Sequence, residues 1–274
     1  MYKLAALDLD GTLLDGQGVI SEENIRALRN FSAKGGLIVL ASGRMTACVA
    51  PFAKVLSVDC PLITYNGAMA RLGESLGRKV IYHMPLDSSL ADAVVGYCSE
   101  NGFFLNYYLD DVLYAPACEG LKKYARIYSE QTGAVYRFVD NLGRFKGNAP
   151  TKMILITDAA GRDISRTRDY QHEYLSSRFG REMRIVKTNP EYLEFLSMEA
   201  DKGKALEKIA GHYSVKREDI VAFGDGENDI QMLEYAGLAV VPSNAGSRVK
   251  RFADIVLRWD NNSSAVGRFF SKHA

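Results

Sequence analysis

The sequence predicts an α/β protein with a Rossmann-like parallel-sheet core, residues 1–81 and 191–274, interrupted by an inserted α+β domain, residues 82–190. Three observations carry this expectation. Short apolar runs that end in turn residues alternate with helical stripes over the first 81 residues. The same rhythm returns near the C-terminus. Between the two, it gives way to aromatic-rich strands, a hairpin and separate helices. A chain of 274 residues is long enough for two modest domains.

The elements follow in order. Residues 2–9 form an apolar run ended by Asp10-Gly11, as a buried strand entering a loop would be. Ser21 to Asn24 resembles a capping box, with Asn24 in the place usually held by Glu. Ile25, Leu28 and Phe31 give a helical stripe, and Gly35-Gly36 stops it. Residues 37–41 read as a second buried strand leading into Ser42-Gly43-Arg44. A helix follows to about residue 56, then a third strand, 62–65, ahead of Asn66-Gly67. In the insert, helices are expected over 86–100, 121–130 and 164–179. Hairpin strands are expected at 103–108 and 112–114, flanking Leu109-Asp110-Asp111. Residues 152–157, 183–187 and 192–196 look extended. The α/β rhythm resumes with a helix from Lys202. A strand at 220–223 runs into Gly224-Asp225, a helix covers 230–236, and strands are expected at 238–241 and 255–257.

Composition narrows the function classes. Lys and Arg total 34 against 33 Asp and Glu, a balance that predicts neither a nucleic-acid nor an anionic-membrane partner. Asp8 and Asp10 break the N-terminal apolar run, and no stretch of 18 residues is free of charge. Signal peptide and membrane span are therefore not expected. Cys48, Cys60, Cys98 and Cys118 are spaced unlike any compact zinc pattern. They read as reduced, mostly buried thiols in a cytoplasmic protein.

Ligands in open α/β sheets bind outside the carboxyl ends of the strands. Here those ends carry Asp8 and Asp10, Ser42, Asn66, and Asp225 with Asp229 just beyond. Taken singly, each has a plainer reading. A strand-end Asp-Gly is a turn, Ser42 an N-cap, Arg44 a helix-surface residue and Lys202 one lysine among many. Their placement at successive strand ends favours a shared site. Crowded carboxylates call for a proton or a cation, and a hard divalent ion such as Mg²⁺ suits oxygen ligands. With Lys202 and Arg44 supplying positive charge, the set suits a phosphate monoester, which one carboxylate can attack.

These residues resemble the motifs of the haloacid dehalogenase superfamily, in its Cof-like hydrolase branch. Asp8-Leu-Asp-Gly-Thr-Leu13 is similar to the first motif, Ser42-Gly-Arg44 to the second and Lys202-Gly203 to the third. Gly224-Asp-Gly-Glu-Asn-Asp229 is similar to the fourth. Tyr65-Asn-Gly-Ala68 and Tyr192-Leu-Glu194 are further marks. The resemblance implies that Asp8 is a nucleophile forming an aspartyl-phosphate and Asp10 a general acid and base whose backbone carbonyl touches the metal. It makes Thr12, Ser42, Gly43 and Asn228 phosphate binders, and Lys202 the residue that orients nucleophile and phosphate. It makes Asp225 a direct Mg²⁺ ligand and Asp229 a supporting one. The insert resembles a type C2B cap, expected to supply leaving-group contacts; Arg44, Asn66, Tyr108, Asp110, Asp111 and Glu194 are the candidates for substrate contact.

The expected activity is Mg²⁺-dependent hydrolysis of small phosphorylated metabolites, sugar phosphates above all. The alternatives are a phosphosugar mutase and a non-enzymatic phosphate-ligand sensor. Two segments depart from the family pattern: Val241-Pro-Ser-Asn-Ala245, where family members often carry Met-Gly-Asn-Ala, and the tail Asp260-Asn-Asn-Ser-Ser-Ala-Val266.

Overall fold

The computed structural model describes residues 2–158 and 163–273. The chain forms two compact units, Met1–His83 with Ala200–Ala274, and Met84–Glu199.

The first unit is built on an eight-stranded sheet. In chain order its elements are β1 (Leu4–Asp8), α1 (Glu22–Ala33), β2 (Leu37–Ala41), α2 (Thr46–Leu56), β3 (Leu62–Thr64), β4 (Met69–Arg71) and β5 (Val80–His83). The second unit contributes α3 (Ser88–Glu100), β6 (Phe104–Leu109), β7 (Val112–Pro116), α4 (Lys122–Thr132), β8 (Tyr136–Val139), β9 (Lys152–Ile156), α5 (Arg168–Phe179), β10 (Met183–Thr188) and β11 (Tyr192–Ser197). The chain then returns to the first unit with α6 (Lys202–His212), β12 (Ile220–Phe223), α7 (Ile230–Tyr235), β13 (Leu238–Val241), β14 (Ile255–Val256) and α8 (Ala265–His273).

The first sheet runs β14-β13-β12-β1-β2-β3-β4-β5. Its six strands from β14 to β3 pair in parallel, while β3–β4 and β4–β5 are antiparallel. β1 lies at the centre with Leu4, Ala5, Ala6 and Leu7 all fully buried, as a parallel strand covered on both faces requires. The two-residue alternation assigns its side chains to two cores. Ala5 and Leu7 pack with α1, α2 and α8, where Phe31, Phe269 and Phe270 gather; Leu4 and Ala6 pack with α6 and α7. Ser21 caps α1 by accepting from Asn24 N, but the Asn24 side chain does not return the bond. It donates to Leu13 O instead, at 3.2 Å. β4, β5 and α8 were not expected from the sequence.

The second sheet runs β10-β11-β9-β6-β7-β8 and is antiparallel except for β7–β8. The boundary expected at residue 190 is corrected here. β11 is hydrogen-bonded between β10 and β9, so the inserted unit extends to Glu199. The β6–β7 hairpin turns through Asp110 (φ 51°) and Asp111 (φ 61°), with Leu109 opposite Val112. Two successive left-handed residues give a type I′ turn, which matches the strand twist. α3 and α5 cover one face of this sheet, enclosing Leu105, Tyr107, Met153, Leu155, Leu193 and Phe195. The expected helix at 164–179 divides into a 3₁₀ turn, Ile164–Arg166, and α5.

The cysteines are all free thiols; Cys48, Cys60 and Cys98 are buried and Cys118 is exposed. Burial pushes the Cys60 thiol up to about 12. No helix among the described residues is long and apolar enough to cross a membrane.

Candidate active site

The first unit gathers its chemistry-bearing residues at the carboxyl ends of β1, β2, β3 and β12. Asp8 is the last residue of β1 and is only 4% exposed. Lys202 begins α6, whose N-cap Asp201 accepts from Gly203 N at 2.6 Å and Lys204 N at 3.1 Å. That cap holds the first helical turn, and so fixes where Lys202 departs. Its ammonium is fully buried and donates to Asp8 Oδ1 at 2.7 Å and Asp229 Oδ1 at 2.6 Å. Asp229 is bound on its other oxygen as well, accepting from Asp225 N at 3.1 Å and Gly226 N at 2.9 Å. Asp225 accepts from the Thr12 hydroxyl at 2.8 Å. Gly11 passes close to this carboxylate with φ +81°; a Cβ there would press into Asp225.

Charge balance explains the protonation tendencies. Burial is the main cause that raises the Asp8 carboxyl well above its ordinary range; the Asp229 carboxylate adds to it, and Lys202 opposes it. Burial works against the Lys202 charge, but Asp229 and Asp8 outweigh it and hold the lysine protonated. Asp225 is pushed up to about 6, chiefly by burial, with the Thr12 bond opposing. Three carboxylates thus face one buried ammonium, and the site is short of positive charge.

The residues fit a hard cation. Asp8, Asp225 and Asp229 each offer an oxygen, all within 4.8 Å of one another. Asp8 Oδ2 is buried without a hydrogen-bond partner among the described residues. A divalent ion would satisfy that acceptor and offset the excess charge.

A second group adjoins the first. Arg44 grips Asp10 with its fork, Nε to Oδ2 at 2.9 Å and Nη2 to Oδ1 at 2.5 Å. Burial works against the Arg44 charge, and the bond to Asp10 outweighs it. Ser42 Oγ accepts from Arg44 N at 3.2 Å, and Ser42 O from Asn66 N at 3.1 Å. Tyr65, Asn66 and Gly67 are three successive left-handed residues after β3, a costly backbone of the kind found at functional sites. Asn66 Oδ1 accepts from Asn228 Nδ2 at 3.0 Å, and Gly43 passes so close to Asn66 that a side chain would collide with it.

Asp8, Asp10, Thr12, Ser42, Gly43, Arg44, Asn66, Lys202, Asp225, Asn228 and Asp229 therefore meet in one unit. Tyr108, Asp110, Asp111 and Glu194 belong to the other. Tyr108 is 1% exposed and its hydroxyl bonds that of Tyr128 at 2.6 Å. Glu194 is buried and accepts from Lys152 at 3.3 Å and Thr188 at 3.1 Å. Asp110 and Asp111 form the hairpin turn. Sequence reasoning missed Asp201, although an Asp directly ahead of a helical segment is an N-cap signal.

The model of the haloacid dehalogenase-like hydrolases matches residues 5–270. The chain belongs to that superfamily of hydrolases. Among curated proteins, the Bacillus subtilis 5-amino-6-(5-phospho-D-ribitylamino)uracil phosphatase YwtE is 27% identical over 284 residues, spanning 98% of this chain and 97% of its own. A second enzyme of the same name, YitU, also from Bacillus subtilis, is 28% identical over 276 residues, covering 98% and 97%. Among solved structures, TM0651 from Thermotoga maritima is similar with a TM-score of 0.86 and 35% identity, covering 99% of this chain and 97% of that one.

Proposed function

We propose that the protein hydrolyses phosphate monoesters of small metabolites, sugar phosphates and phosphorylated polyols in particular, through an aspartyl-phosphate on Asp8 and with Mg²⁺ as cofactor. The observation that carries this reading is the state of Asp8. One oxygen is tethered by Lys202, and the other is buried without a partner among the described residues, beside two more carboxylates. The names of the two Bacillus relatives, whose substrate carries a phosphoribityl group, support the substrate class.

Asp8, the Asp10 backbone carbonyl and Asp225 would hold the ion, with Asp229 in support. When bound, Mg²⁺ supplies positive charge that offsets the phosphoryl oxygens. Lys202 fixes the orientation of the Asp8 carboxylate toward the phosphate. Thr12, Ser42, the Gly43 amide and Asn228 bind the phosphate, with Arg44 and Asn66 at the margin. Asp8 attacks as the P–O bond to the leaving group breaks, and Asp10, its fork with Arg44 opened and a proton taken up from solvent, gives that proton to the leaving oxygen. Asp10 then takes a proton from water, which attacks phosphorus, frees phosphate and restores the Asp8 carboxylate.

A panel of phosphorylated metabolites, read by phosphate release, tests the reading. Release should require Mg²⁺, stop on chelation, fall with Ca²⁺, which relaxes octahedral geometry, and vanish in Asp8→Asn. Full turnover by Asp8→Asn would overturn it, and an isomerised sugar phosphate without release would indicate a mutase.

A further inference from the structure

The two segments that depart from the family pattern are joined to each other and to the loop that follows β1. Within this loop the amides are largely satisfied locally. Thr12 N, Leu13 N and Leu14 N all reach Leu9 O, at 3.3, 3.0 and 2.9 Å. Its carbonyls need donors from elsewhere, and asparagine side chains provide them. Asn244 Nδ2 donates to Gly11 O at 2.8 Å, Asn24 Nδ2 to Leu13 O at 3.2 Å and Asn261 Nδ2 to Leu14 O at 2.8 Å. Asn262 Oδ1 accepts from Gly16 N at 2.8 Å.

A carboxamide has a donor and an acceptor on one rigid plane, so it can bridge two strands of backbone. Two of these do. Asn244 Oδ1 accepts from Asn261 N at 3.0 Å, and Asn24 Oδ1 from Gly267 N at 2.8 Å. Asn244 and Asn261 thus form one continuous path from Gly11 O through both side chains to Leu14 O. The segment between these two carbonyls holds Thr12, which bonds Asp225, and Gly11, which lies against it. Asp10 directly precedes it.

We propose that Asn244 and Asn261 are positioning residues for the reaction: acting in series, they brace the loop from behind and so set Asp10 and Thr12 against Asp8 and Asp225. The inference rests on the reading of Asp8 and Asp10 given above. Ser243 N donates to Trp259 O at 2.9 Å, which holds the two segments side by side.

The test uses the full chain, a small aryl phosphate and saturating Mg²⁺, with kcat, KM and Tm measured for each variant. Asn244→Ala and Asn261→Ala should each lower kcat by about 10- to 100-fold, the scale on which a misplacement of about 1 Å acts, while KM stays within about threefold. Because the two act in series, the double variant should lose little more than the worse single one; independent effects would multiply. Arg29→Ala is the comparison for stability alone. It removes bonds to Leu56 O at 2.8 Å and Val55 O at 2.9 Å on α2, and it should lower Tm and leave kcat within about twofold. Asn261 is buried and Asn244 exposed, so if Asn261→Ala fails to fold, Asn244→Ala against Arg29→Ala decides. An unchanged kcat in Asn244→Ala, losses that multiply, or a rise in KM alone would overturn the proposal. Asp8→Asn, assayed alongside, separates the two levels. Activity surviving there overturns the site reading and this inference together, whereas an inactive Asp8→Asn with a fully active Asn244→Ala overturns the inference only.

Discussion

Replacing Lys202 by methionine keeps the length of the side chain and removes its charge. The fully buried ammonium lies 2.7 Å from Asp8 and 2.6 Å from Asp229, which are 4% and 1% exposed. Without it, two buried carboxylates lose their shared counter-charge. Breaking a buried ion pair by removing one partner costs about 3–5 kcal/mol. In a domain of 150–250 residues each kcal/mol shifts Tm by about 2–4 °C, so metal-free Lys202→Met should melt roughly 6–20 °C below the wild type. Two further consequences separate this account from a simple packing defect. Asp8 already holds its proton more tightly than an ordinary carboxyl, and the variant strengthens that tendency. A carboxyl raised in the folded state contributes stability at low pH that is lost as pH rises, so the Tm gap should be small near about pH 5 and wide near about pH 8. Mg²⁺ should also raise Tm more in the variant than in the wild type, because the more negative site binds the ion more tightly. Calorimetric melting at both pH values, with chelator or with Mg²⁺, measures all three effects. Equal Tm values for the two proteins under chelation near about pH 8, or an equal Mg²⁺ increment in both, would refute the reasoning.

Three other outcomes are expected. Gly11→Ala forces an L side chain into φ +81° and against the Asp225 carboxylate, whereas Gly18→Ala meets the same strain at φ +76° with nothing within 4 Å among the described residues. Both should lose about 1–2 kcal/mol of stability in melting experiments, but only Gly11→Ala should weaken Mg²⁺ binding in titration calorimetry. Asp225 is raised to about 6, so below that pH the ion must displace a proton. Asp8, a second ligand, is raised well above its ordinary range too, so the dissociation constant should rise about tenfold or more per unit of acidification below about pH 6 and go on falling as pH climbs past it; a pH-independent affinity from about 5 to 7 would contradict this. Asp110 sits at φ 51° in the hairpin turn. Asp110→Gly should therefore leave Tm nearly unchanged while Asp110→Val lowers it, and any change in substrate ranking in the glycine variant would report on the lost carboxylate rather than on the turn.

The sequence by itself determined the strand ends and what stands on them. The run Leu4 to Leu7 and its counterparts at β2, β3 and β12 are buried on both faces, so they read as continuous apolar stretches, and the chain must leave each through Asp, Ser, Asn or Gly. That information is local, and it brought Asp8, Asp10, Ser42, Asn66 and Asp225 into view together. The hairpin at Asp110-Asp111 was legible for the same reason. α8 carried a readable stripe at Val266, Phe269 and Phe270 that went unused. Tertiary structure alone decided which sheet each strand joined. β11 is the last strand of the inserted unit and in sequence looks like any apolar strand; only its pairing with β9 and β10 puts Glu194 in the second unit. It alone decided, too, that Lys202 bridges Asp8 and Asp229, and that Asn244 and Asn261 reach back to Gly11 and Leu14. Those partners are separated by 194, 233 and 247 residues for Asp8, Gly11 and Leu14. A hydrogen bond over such a span depends on how whole strands and helices pack, and it leaves no periodicity in the chain to read.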